Sequence, residues 1–197
     1  IAMERTLDEF ALEASDIARS ETAQKGITGA NISDALKKWE ERLNGAEAVL
    51  IASTEPGTPV KSSSHAGFDG QKLGDNKALE KCIASALKGK AAYSSITKSV
   101  RSGATVIFLA APVYKGGAAV GIVGLEIKPS EVFSPIVRGV TIGQSAYPFI
   151  LDGEYRVIGH RNDKTIGTNI LVYEWGKKVK EAASLSFIQY EWEGSLK

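Results

Sequence analysis

The chain is poor in the residues that make covalent or metallic staples. A single cysteine, Cys82, excludes an internal disulfide and any cysteine-rich metal site, and suits either redox compartment. It reads as a small buried hydrophobe on a helix. The two histidines, His65 and His160, stand 95 positions apart with no second ligand at a suitable spacing, so no histidine metal site is encoded. No stretch of about 18 apolar residues exists, and the N-terminal segment lacks the apolar centre of a signal peptide. An excess of one charge is missing too. The 24 basic and 23 acidic side chains leave +1, with no like-charge run to follow a phosphate backbone, which argues against a nucleic-acid partner.

Catalytic signatures are equally scarce. Gly143-Gln144-Ser145-Ala146-Tyr147 lacks the closing glycine of a nucleophile elbow. Gly117, Gly121 and Gly124 miss the dinucleotide fingerprint and sit in and beside a hairpin strand, where that motif would open a helix. Lys88-Gly89-Lys90 has no upstream glycine at P-loop spacing, and no Cys-x-x-Cys-His attaches a haem. The chain is read as a non-enzyme with no cofactor.

What is present is a phrase written twice. Ala48 to Ser53, a turn at Pro56-Gly57, Val60 to Ser63 and Leu73-Gly74-Asp75-Asn76 recur as Tyr147 to Asp152, a turn at Gly153, Val157 to His160 and Ile166-Gly167-Thr168-Asn169. The offset is 97 residues from Val60 to Val157 and 93 from Asn76 to Asn169. Two copies of a strand, turn, strand, loop unit a domain-length apart predict a duplicated small domain. Duplicated small domains in tandem point to a receptor sooner than to an enzyme. With 43% hydrophobic residues, the 197-residue chain has apolar surface for one medium domain or two small ones.

Met3, Leu7, Phe10, Ala14 and Ile17 are spaced by 4, 3, 4 and 3, which predicts a helix over 3–25 with one apolar seam. That seam packs either on its own domain or on a second copy as a two-helix dimer. Ser33 is placed to cap a second helix with Leu36, Trp39 and Leu43 on one face, stopped at Asn44-Gly45. Strands are predicted over 48–53 and 60–62, followed by a loop over 63–76 too poor in apolar residues to be core. A short helix over 79–87 precedes strands over 93–100, 105–114 and 118–127. The last two are apolar on nearly every residue and joined by a hairpin at Lys115-Gly116-Gly117, so this sheet is covered on both faces. Pro129 opens a connecting helix to about Arg138, with Val132, Phe133, Ile136 and Val137 as its apolar face. The second copy continues with a helix over 173–183 and a strand over 185–191. It then runs out two strands short of the first, which predicts an unpaired sheet edge. The chain reads as a fragment of something larger, with membrane anchors expected just outside it.

These residues resemble the double Cache domain, the extracytoplasmic sensor of bacterial chemoreceptors and histidine kinases. Three segments carry the likeness: residues 34–53; the meander 106–127 with Ala110-Ala111-Pro112-Val113 and Gly121-Ile122-Val123-Gly124-Leu125-Glu126-Ile127; and Gly143 to Gly153 ending in Val157-Ile158-Gly159-His160-Arg161-Asn162. Ala146 and Arg161 replace a glycine and a proline usual in the family. The resemblance implies an α+β fold: a long N-terminal helix plus two PAS-like modules, each an antiparallel sheet flanked by helices, the second truncated. The division it implies is a helical stalk over 1–43, a membrane-distal ligand-binding module over 44–128, a connecting helix over 129–142 and a proximal module over 143–197. It implies a small-molecule ligand such as an amine, amino acid or carboxylate, a periplasmic location, and membrane attachment through flanking helices outside this stretch. The Arg-x-Trp-Tyr motif of amino-acid-binding members is absent from Asp75-Asn76-Lys77-Ala78, and Glu126 falls where those members carry an aspartate.

A PAS-like pocket lies between the concave face of the sheet and the loop and helix over it. Its candidate contacts are Ser64, His65, Asn76, Lys77, Tyr93, Ser95, Phe108, Ala110 and Glu126. Each has a plain alternative: a solvated His65 and Lys77, ordinary packing for Tyr93. Glu126, between Leu125 and Ile127, either faces outward or needs a partner such as a ligand amine, since an unpaired buried carboxylate costs several kcal/mol. His160 is expected to hydrogen-bond within its own module, and Asp152 to serve its turn. The competing reading is a ligand-free dimerisation or protein-interaction module.

Overall fold

The first two elements, α1 (Ala2–Arg19) and α2 (Glu21–Ile27), replace the single helix expected over 3–25. The structure, a computed structural model, describes residues 2–55, 57–65, 67–74, 76–99, 101–142, 147–182, 191–192 and 195–196. The break falls at Ser20, whose extended backbone and hydroxyl, accepting from Ala23 N at 3.1 Å, make it the N-cap of a new helix. The apolar seam survives the break: Phe10, Ala14, Ile17, Ala18 and Ala23 are all buried.

Helix α3 (Ser33–Arg42) comes next, with Ile32 at the capping position expected of Ser33. The Ser33 hydroxyl instead lies 3.3 Å from that of Ser62 on the sheet. The order then runs β1 (Ala46–Ser53), β2 (Val60–Ser63), α4 (Lys77–Ala86), β3 (Ala92–Tyr93), β4 (Thr97–Lys98), β5 (Thr105–Lys115) and β6 (Ala118–Ile127). The strands form an antiparallel sheet in the order β2-β1-β6-β5-β3, with β4 also on β5. Gly116 and Gly117 join β5 to β6 with φ of 60° and 84°, the pair of positive values a two-residue primed turn demands.

Side chains alternate across this sheet, and both faces are covered. Val49, Ile51, Leu109, Ala111, Val123, Leu125 and Ile127 pack on α1, α2 and α3. Leu50, Ala52, Phe108, Ala110 and Ile122 face the other way, against α4 and the loop that precedes it. Here one expectation is corrected. The loop expected over 63–76 is not excluded from the core, because Phe68 and Leu73 turn inward from it and are fully buried against the sheet. Two large apolar side chains suffice to seat a polar segment.

The strand expected over 93–100 is two short ones. Between them, Ser94 N donates to Phe108 O at 2.7 Å and its hydroxyl accepts from Phe108 N at 2.9 Å, so a side chain takes over one rung of the ladder.

The expected connecting helix is likewise two, α5 (Pro129–Val132) and α6 (Ser134–Arg138). Phe133 between them is fully buried with Ile96, Ile107 and Ile158, which knits the sheet to the second copy of the repeat. There, β7 (Ile150–Leu151) pairs with β8 (Val157–Gly159), two 3-10 turns come after it, and α7 (Glu174–Glu181) precedes the antiparallel pair β9 (Glu191–Trp192) and β10 (Ser195–Leu196). Residues 185–190 of the strand expected over 185–191 lie outside the described residues.

The repeat is visible in hydrogen bonds. Val60 N donates to Gln71 O, Gly70 N to Val60 O and Leu73 N to Thr58 O; 97 residues on, Val157 N donates to Thr168 O, Gly167 N to Val157 O and Ile170 N to Tyr155 O. The isolated bridges Pro59 to Lys72 and Arg156 to Asn169 keep the same offset. So do the two non-glycine residues with positive φ among the described residues, Thr58 at 49° and Tyr155 at 61°. The offset of 93 read from the sequence is therefore corrected: Ile166-Gly167 matches Asp69-Gly70, and not Leu73-Gly74. Among the described residues, no helix is long and apolar enough to cross a membrane.

Candidate functional site

Alternation along β6 puts Ile122, Gly124 and Glu126 on the face covered by the loop and α4. Gly124 leaves room there, since a Cβ would lie 2.5 Å from the Phe108 ring and 2.8 Å from Leu50. Glu126 is turned inward at 1% exposure, between Ala48 on β1 and Phe108 on β5. The hydroxyl of Ser99, itself buried, donates to Glu126 Oε2 at 2.6 Å and accepts from the backbone N–H groups of Arg101 and Ser102 at 3.2 Å. Such a short bond to a carboxylate is the charge-assisted kind. Ser99 lies within the stretch expected as a plain strand, and its role depends on the tight turn after it.

The other expected residues do not converge on one place. Phe108 and Ala110 are fully buried in the apolar layer beside Glu126. Asn76 caps α4, accepting from Ala78 N at 3.0 Å, while its amide donates to Thr97 Oγ1 at 3.0 Å and so ties the end of the loop to β4. Ser64 continues the β1 edge, with N–H donated to Val49 O and hydroxyl accepting from Val49 N. His65 fastens the other end of the loop: its Nε2 lies within 3.1 Å of both carboxylate oxygens of Glu40 on α3, and 3.2 Å from Glu47 O.

Glu47 is the centre of a charged corner. Its carboxylate pairs with Arg101 and, at 3.4 Å, with Lys128, which also meets Glu131 at 2.5 Å. Partial burial pushes the Glu47 carboxyl up, but a hydrogen bond with Ser102 and the two cations outweigh it and hold it below the ordinary carboxylate value. The Lys128 ammonium is held above its ordinary value, chiefly by Glu131.

Lys77, Tyr93 and Ser95 do come together, in a cleft of about 450 Å³ between α4, β3 and the β7–β8 turn. Sequence reasoning missed the rest of its wall, including Lys81, Ser94, Glu154 and Arg156. The spacing of four between Lys77 and Lys81 was a signal for one helix face. Nothing in the sequence places Arg156 beside them. The Tyr93 hydroxyl turns to the far side and donates to Leu7 O on α1; burial, aided by Asp8, raises its pKa.

In the second copy, Asp152 serves its turn, accepting from Glu154 N and Arg156 N at 2.9 Å. His160 Nδ1 accepts from Asn162 N at 3.0 Å, and its ring meets Tyr147 edge to face. Arg161 lies 5.2 Å above the same Tyr147 ring. No group of three metal-ligating side chains occurs among the described residues.

No protein-family model matches the chain, and no curated protein matches it. Solved structures do. The sensor domain of the Vibrio cholerae histidine kinase DctB superposes with a TM-score of 0.65 at 15% identity, covering 83% of this chain, which spans 63% of that domain. The ligand-binding domain of the Pseudomonas aeruginosa amino-acid chemoreceptor PctC, solved with GABA, gives 0.58 at 16% identity, over 99% of this chain and 82% of that one. That of the Campylobacter jejuni chemoreceptor Tlp3, solved with 4-methylisoleucine, gives 0.64 at 14%, over 99% and 78%. At such identities the likeness is one of architecture. The chain has the Cache-type fold of the ligand-binding sensor domains of chemoreceptors and histidine kinases.

Proposed function

We propose that this chain is the extracytoplasmic ligand-sensing domain of a bacterial transmembrane receptor, a chemoreceptor or a sensor kinase. Residues 44–128 form the ligand-binding module and 143–197 a second PAS-like module that relays its state, while the helices of 1–43 spend their apolar seam on the sheet of the first module and not on a second copy. Flanking helices outside this stretch hold it to the inner membrane. The observation that carries the reading is the Cache-type architecture, an antiparallel sheet covered on one face by α1, α2 and α3 and on the other by α4 and the loop before it. Glu126 is buried on the face under that loop and is already engaged by the Ser99 hydroxyl. The ligands solved with PctC and Tlp3 both carry an amine. By that likeness the module takes a small amine-bearing metabolite, and binding shifts an equilibrium between two arrangements by the ligand's differential affinity for them.

A melting screen of amines, amino acids and carboxylates tests this. At a hundred times the dissociation constant a ligand adds about 2.7 kcal/mol, a rise of roughly 5 to 10 °C at this chain length. No shift with any small molecule overturns the proposal and favours the ligand-free interaction module, a reading that the inward packing of Phe68 and Leu73 supports.

A further inference from the structure

We infer that the cleft between α4 and the β7–β8 turn, at the β3 edge of the covered layer, is a site for a small multiply charged anion. Among the described residues, Lys77, Lys81 and Arg156 line it together with the carboxylate of Glu154, and Asp152 stands behind Arg156. Lys77 and Lys81 stand one helical turn apart on the same face of α4, and neither has an ion pair among the described residues. Lys77 is also the first residue of that helix, where the positive end of the backbone dipole disfavours a cation and favours an anion. Its placement works against the helix and for a bound oxyanion.

Arg156 comes from the other copy of the repeat. Its Nε meets Asp152 at 3.2 Å and its Nη2 meets Glu154, which fixes the guanidinium along its own turn. Five N–H groups radiate from a guanidinium, so donors remain for a ligand. Ser94 and Ser95, on the chain leaving β3, add hydroxyls and backbone groups to the same wall. A cleft of about 450 Å³ admits a phosphate-type oxyanion or a short dicarboxylate. Because its cations belong to both copies, an anion here bridges them, and its occupancy biases how they are held together.

Calorimetric titration with inorganic phosphate and with malonate at low ionic strength tests this. Saturable binding of one anion per chain is expected, weakening as sodium chloride is added. Binding by phosphate alone identifies a tetrahedral oxyanion, and by malonate alone a dicarboxylate. The double variant Lys77→Gln, Lys81→Gln is expected to weaken binding at least about tenfold. Its unliganded melting temperature stays within about 2 °C of the parent, since both side chains are exposed. Lys88→Gln with Lys90→Gln removes the same charge elsewhere and leaves binding in place. Absence of saturable binding, or equal loss in both double variants, overturns the inference. Should neither anion bind while an amine raises the melting temperature, this site fails and the sensor reading stands.

Discussion

Ser99 and Glu126 are joined by a 2.6 Å hydrogen bond in which every capacity of the serine hydroxyl is used: it donates to the carboxylate and accepts from Arg101 N and Ser102 N. The bond ties the turn after β4 to the end of β6 and compensates a charge inside the apolar layer. Ser99→Ala therefore removes one donor from a buried carboxylate and strands two backbone N–H groups. The expected loss is about 1–3 kcal/mol, read as a lower urea midpoint at unchanged slope. Ser99→Thr keeps the hydroxyl and is expected to retain most of the stability.

Gly124 and Phe108 make a second coupled pair. A methyl at Gly124 would lie 2.5 Å from the Phe108 ring and 2.8 Å from Leu50, both fixed within the core. Gly124→Ala is expected to cost about 1–3 kcal/mol by overpacking. Phe108→Leu alone opens space and also destabilises. Together the two are expected to cost less than their separate sum, and a double-mutant cycle on urea midpoints measures that difference.

Much of this architecture is legible in the sequence because the patterning is strong. The unbroken apolar runs of β5 and β6 announce a sheet covered on both faces, and the glycine pair between them its hairpin. The departures come where a single side chain decides. Ser20 divides a helix whose apolar seam continues past it, and periodicity does not register a hydroxyl that caps. Phe68 and Leu73 are two apolar residues in a polar stretch, below what a window average detects, yet they set the loop into the core. The site is less legible than the fold. Glu126 is conspicuous in an apolar strand, but which way it faces depends on the register with β5. The cleft is invisible, since Arg156 reaches Lys77 and Lys81 only through the packing of one copy of the repeat on the other.

The charged corner around Glu47 sets an acid limb of stability. Its folded pKa lies below the model-compound value of 4.5, which makes the unfolded chain the tighter proton binder. The stabilisation is then complete above about 4.5 and is lost as pH falls through the depressed folded value. Urea unfolding between pH 3 and 7 is expected to show a decline on the acid side that Glu47→Gln flattens. Arg101→Gln is expected to flatten it in part, because Ser102 and Lys128 still hold the carboxylate low. An acid limb unchanged in Glu47→Gln would assign the decline to other carboxylates.

Cys82 supplies a probe of α4 that needs no substitution. The thiol is buried against the sheet, its Sγ donating to Ala92 O at 3.1 Å, and burial pushes its pKa up to about 12. The thiolate is the reactive form, so at pH 8 the folded chain is expected to resist iodoacetamide while the urea-unfolded chain reacts readily. Alkylation in native buffer then reports only openings that lift α4 from β3 and β5. Since Cys82 shares a wall of the cleft with Lys77 and Lys81, an anion bound there is expected to slow that alkylation in proportion to occupancy. Alkylation that is fast without denaturant and indifferent to anion would mean that α4 is not held on the sheet as described.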